Sequence, residues 1–127
     1  MTEGRERGAA AVEFAMIAII LLTLVFGIAE FGRLWMIQST LSAAARDGAR
    51  TMAVKNDQDP ASQAVKDVFS SISPSGPTTL TIAPATGACD SGGQAKVDAT
   101  YEAPWLTGFF GSGTVTLKGQ GVMRCGG

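Results

Sequence analysis

The sequence predicts an α+β protein in which one long N-terminal helix packs on a small antiparallel sheet of about three strands, with a second short helix between them. Three observations predict it. Residues 9–29 are an apolar run with a single charge, residues 34–52 place apolar side chains at steps of three and four, and from about residue 80 apolar and polar residues alternate.

The first element follows a short polar stretch, MTEGRERG at residues 1–8. The run Ala9–Ala29, AAAVEFAMIAIILLTLVFGIA, is interrupted only by Glu13. As a helix rising about 1.5 Å per residue it spans about 30 Å, the thickness of a bilayer's hydrocarbon core. Beyond it Glu30 and Arg33 stand at i,i+3, and Trp35 suits a membrane interface. Leu34, Ile37, Leu41, Ala45, Gly48 and Met52 then fall on one helical face, with Arg46, Asp47, Arg50 and Lys55 mostly off it. The pattern predicts one helix from about residue 9 to about 55, lipid-facing first and amphipathic afterwards. Gly48 is a soft spot in it, costing up to about 1 kcal/mol against alanine.

Asp59 before Pro60 reads as an N-cap and first-turn proline. Ala61, Ala64, Val65, Val68, Phe69 and Ile72 then make the stripe of a second helix ending near Ile72, before the SPSGP loop at 73–77. From there the period becomes two. Leu80 and Ile82 form a first alternating set, and Ala95, Val97, Ala99 and Tyr101 a second. Val115, Leu117, Gly119, Gly121, Met123 and Cys125 form a third. These are strands with one apolar side, and that side is expected to pack on the stripe Leu34–Met52. The organisation predicted is a leader at 1–8, a transmembrane helix at 9–29, its amphipathic continuation at 30–57, and a small α+β domain at 58–127.

Composition excludes several functions. There are 127 residues, ten basic and eleven acidic, and no basic block, so nucleic acid is not an expected partner. The chain has no histidine, which removes the commonest general base and every Ser-His or Cys-His pair. Asp57, Asp59, Asp67, Asp90, Asp98 and Glu102 are scattered, and Ser91 in GACDSGG has no base beside it in sequence. Neither an enzyme, a metal site nor a cofactor is expected. Cys89 and Cys125 have no metal-like spacing. A disulfide between them is favoured over two unrelated thiols, because a domain this small gains most from a cross-link and Cys125 is in phase with the inward residues of its strand. Such a bond would place the domain outside the cytoplasm.

Glu13 requires explanation, since a carboxylate in lipid costs up to about 3 kcal/mol even on the forgiving insertion scale. It could snorkel to the headgroups at a helix N-terminus and favour the helix dipole. It could also answer a charge. Were the chain cut after Gly8, the new amine of Ala9 would tip an apolar helix, with Glu13 as the fifth residue and Phe14 next. Helices stacked with an axial offset would then pair the carboxylate of one with the amine of another, fixing register.

GAAAVEF, residues 8–14, resembles the processing site of type IV-like prepilins. The longer string RGAAAVEFAMIAIILLTLVFGIAEFGRLW, residues 7–35, with AAARDGAR at 43–50, resembles the TadE-like family of minor pilins or pseudopilins in tight-adherence (Flp pilus) secretion systems. The likeness is dense over residues 7–55 and thins over the rest. It implies a pilin-like fold, cleavage between Gly8 and Ala9 by a prepilin peptidase, and residence in the bacterial inner membrane as a single-pass protein with its C-terminal domain extracytoplasmic. It also implies a role in pilus biogenesis among other pilins and pseudopilins and an assembly platform. Major Flp pilins are much shorter, so the domain here favours a minor component.

The alternative reading is a secreted or anchored binding domain released by signal peptidase, with Arg5 and Arg7 as n-region, residues 14–26 as h-region and Gly27-Ile28-Ala29 as the cleavage site. APWLTGFFG, residues 103–111, concentrates Trp105, Leu106, Phe109 and Phe110 between two strands. One reading has these side chains covering the end of the sheet and helix. The other exposes them as an apolar patch for a partner pilin or a membrane surface.

Overall fold

The computed structural model describes residues 3–126. Met1 and Thr2 of the expected leader, and Gly127 of the expected C-terminal domain, lie outside the described residues. The elements are α1 (Glu3–Lys55), α2 (Gln58–Phe69), β1 (Thr79–Ala83), β2 (Gln94–Pro104) and β3 (Thr114–Arg124). The chain divides into two units, one ending at Arg33 and one beginning at Leu34.

The first unit is helical throughout its described residues. It starts at Glu3 rather than near residue 9, because Arg5, Glu6 and Arg7 are good helix formers and nothing in this stretch stops a helix. The apolar side chains from Val12 to Ile28 are mostly exposed. An 18-residue window here has mean hydropathy 2.6 with none of it buried, so α1 is long and apolar enough to cross a membrane. Thr23 donates from Oγ1 to the Ile19 carbonyl at 2.8 Å, which hides its one polar group within the helix.

The second unit is an α+β domain. Its sheet has the order β1-β2-β3 with both pairings antiparallel. Ala95, Val97, Ala99 and Ala103 of β2 are buried on one face, while Lys96 and Glu102 are exposed on the other. Ile37, Leu41, Ala44, Ala45 and Ala49 of α1 join Val65 and Phe69 of α2 against that apolar face, with Leu34, Leu80, Ile82, Tyr101 and Leu117 around them. Phe69 meets Tyr101 edge to face at 5.1 Å between ring centroids, a geometry that adds about 0.5–1.5 kcal/mol to the area buried.

Small residues set the spacing between layers. A Cβ on Gly119 would lie 2.7 Å from the Leu41 carbonyl oxygen, and one on Gly121 would run into the Ala45 backbone. The helix and β3 therefore touch main chain to main chain. Gly48 has the same role toward α2, where an added Cβ would strike Val65. The helix-weakening residue of the sequence is the one that lets α2 approach.

Asn56 ends α1 in the left-handed conformation, φ 52°, which asparagine tolerates better than most residues. Asp57, not Asp59, is the N-cap of α2: its carboxylate accepts from the Asp59 N–H at 3.0 Å. Pro60 is then the third helical residue, still among the first-turn positions whose N–H has no acceptor within the helix. The helix stops at Phe69 and not near Ile72, with Ser70 as its C-cap. Met123 is 39% exposed, against the inward position its phase suggests, because the buried alternation of β3 ends at Gly121.

Cys89 and Cys125 form a disulfide, their Cα atoms 5.4 Å apart. Together with Met52, Ala53, Ala61 and Ala95 they make a second buried cluster. Asn56 holds the same loop, its carbonyl accepting from Gly87 N–H at 2.8 Å and its Oδ1 from Cys89 N–H at 2.7 Å.

Candidate functional site

Three groups of residues carry the functional expectations: the start of the apolar helix, the charged pair before the domain, and the aromatic hairpin. Gly8, Ala9, Glu13 and Phe14 all lie on α1 and are exposed, Phe14 by 74%. Ala9 and Glu13 are four residues apart and therefore share one helical face, a single turn apart along the axis. A carboxylate on the exposed face of an apolar helix can meet only what approaches from outside it. In lipid that is a costly charge until a cation answers it.

Glu30 is the feature the sequence did not disclose. Its i,i+3 relation to Arg33 reads as a surface pair, yet Glu30 is 1% exposed, with Oε1 3.8 Å from Arg33 Nη1. The spacing finds the partner and says nothing of the burial. Trp35 is 78% exposed.

The aromatic residues fall on the hairpin joining β2 to β3. Leu106 and Phe109 are more than 60% exposed and Phe110 46%, with Trp105 half-buried. They pack on each other, Trp105 to Phe110 at 6.0 Å and Phe109 to Phe110 at 5.8 Å between ring centroids.

Three of the scattered carboxylates have local structural partners. Asp57 caps α2, Asp67 accepts from Gln63 at 2.8 Å, and Asp98 accepts from Gln120 at 2.7 Å and pairs with Lys96 at 3.2 Å. The Gln120 hydrogen bond, helped by Lys96 and opposed by desolvation, holds the Asp98 carboxyl below the usual carboxylate range. Among the described residues no group of three or more His, Cys, Asp and Glu side chains is placed to hold a metal ion.

The fold and these residues define a class: a small α+β domain that follows a helix fit to serve as a single-pass membrane anchor. Within that class its N-terminal third is similar to one family. Residues 8–50 match the family model described as TadE-like protein, the family that residues 7–55 resemble. That family is one of structural proteins associated with tight-adherence (Flp) pili. Neither the curated proteins nor the solved structures include a match to this chain.

Proposed function

We propose that the protein is a minor pilin or pseudopilin of a tight-adherence pilus system. In this reading a prepilin peptidase cuts between Gly8 and Ala9. Residues 9–29 then hold the product in the bacterial inner membrane, with residues 30–57 continuing the helix outside and the domain 58–127 extracytoplasmic. Glu13, with Phe14 beside it, meets the Ala9 amine of a neighbouring subunit and sets the axial register when the helix leaves the membrane for a growing assembly. The domain presents the surface that other pilins and the inner-membrane platform contact.

One observation carries the reading: the family match begins at Gly8 and runs through the apolar helix, so it contains both the expected cut and Glu13. The exposed position of Glu13 one turn from Ala9 supports it. Release by signal peptidase fits less well, since α1 passes Ala29 unbroken and continues to Lys55. Mass spectrometry of protein from its native host tests the proposal. A mature N-terminus at Ala9 is expected. Functional protein that retains Met1, or that begins at Glu30, overturns it.

A further inference from the structure

Within the unit that begins at Leu34, α1 and β3 run in the same direction. Gln38 donates to the Lys118 carbonyl at 2.6 Å, Leu41 lies on Gly119, and Ala45 lies on Gly121. Both partners advance together along their own elements. Backward from that register, Leu34 lies four residues before Gln38, about 6 Å at helical rise, whereas Thr114 lies four residues before Lys118, about 13 Å at strand rise. Thr114 and its partner Pro104 therefore stand roughly 7 Å past Leu34, on the side from which the chain enters the unit. The hairpin 105–113 joins β2 to β3 at that end.

The apolar run ends at Ala29, five residues before Leu34 in sequence. The end of the domain that carries the aromatic hairpin is thus the end nearest along the chain to the proposed membrane span. From Ala103 to Leu117 there is no Asp, Glu, Lys or Arg. The exposed large apolar side chains there are Leu106, Phe109 and Phe110, beside the half-buried Trp105. Tryptophan and phenylalanine on an uncharged loop suit the headgroup–acyl boundary, where a ring buries its face and an indole N–H stays hydrated. A protein partner recognised at this loop would find no charged side chain to orient it.

We propose that the β2–β3 hairpin is a second membrane contact, dipping Trp105, Leu106, Phe109 and Phe110 into the outer interface of the bilayer that α1 crosses. The contact holds the domain against the lipid surface before assembly. This inference rests on the anchor reading of residues 9–29.

The test uses the full chain in vesicles of phosphatidylethanolamine and phosphatidylglycerol carrying nitroxide-labelled lipid. In a Trp35→Phe background Trp105 is the sole tryptophan, and a Trp105→Phe background leaves Trp35 as reference. Shallow nitroxides are expected to quench Trp105 emission at least about two-fold, with aqueous iodide having little effect, as for a ring at the interface. Phe109→Ser with Phe110→Ser should abolish most of that quenching while the Trp35 reference and the disulfide stay unchanged. Trp105 open to iodide and silent to lipid, in protein that still floats with the vesicles, overturns the proposal, leaves the hairpin to a protein partner and spares the anchor. Protein that does not float overturns both.

Discussion

Gly121 of β3 lies directly against the main chain of Ala45 in α1, so the helix and the strand meet without a side chain between them. Gly119 repeats the contact at Leu41. A methyl group at either position has to displace backbone on one side, since neither neighbour is the movable end of a side chain. Gly121→Ala is therefore expected to destabilise the domain by about 1–3 kcal/mol, and Gly119→Ala by a similar amount. Chemical unfolding of the detergent-solubilised protein, followed by tyrosine and tryptophan emission, measures it. Gly32→Ala is the reference, since its added Cβ meets nothing within 4 Å.

Asn56 combines a left-handed backbone with two hydrogen bonds to the loop that carries Cys89. Asn56→Ala keeps the carbonyl but loses Oδ1 and places an unfavourable residue in that conformation, a cost of about 1–2 kcal/mol for the backbone together with about 1 kcal/mol for the bond. Asn56→Gly should recover the first part only. Parallel unfolding curves for the two variants separate the contributions.

The disulfide closes a stretch with sequence separation 36. On the chain-entropy account its removal costs about 4 kcal/mol. Cys89→Ser with Cys125→Ser should lower the unfolding midpoint accordingly. The unaltered protein should also change gel mobility on reduction and resist thiol alkylation until reduced. Equal mobility with and without reductant would contradict the bond.

Glu13→Leu removes the charge from the exposed apolar helix, and with it up to about 3 kcal/mol of insertion cost. Membrane fractionation should show insertion kept or improved, while recovery of the protein in assembled pilus material falls. Normal assembly with this variant would leave Glu13 as a helix-end residue and no more.

The periodic parts of the fold were legible because burial there follows local geometry. Leu34, Ile37, Leu41, Ala45 and Met52 repeat at the helical period, and Ala95, Val97 and Ala99 at the strand period, so each set names its own buried face. What escaped depends on neighbours distant in sequence. Gly119 and Gly121 look like weak strand residues until Leu41 and Ala45 lie on them. Asp57 and Asp59 are equally good caps on paper, and the left-handed turn at Asn56 decides between them by setting where the helix begins. Glu30 has the spacing of a surface ion pair and the burial of a core residue. At the start of α1 the residue pattern alone singled out Glu13, whereas the cut after Gly8 was suggested by resemblance and not by any periodicity.

Gln38 donates to the Lys118 carbonyl on one outer strand, and Gln58 donates to the Ile82 and Pro84 carbonyls beside the other at 2.8 and 3.0 Å. A strand pairing with the sheet at Lys118 or at Ile82 would have to displace one of these amides. At those positions the amides oppose the joining of two such sheets into one continuous ribbon.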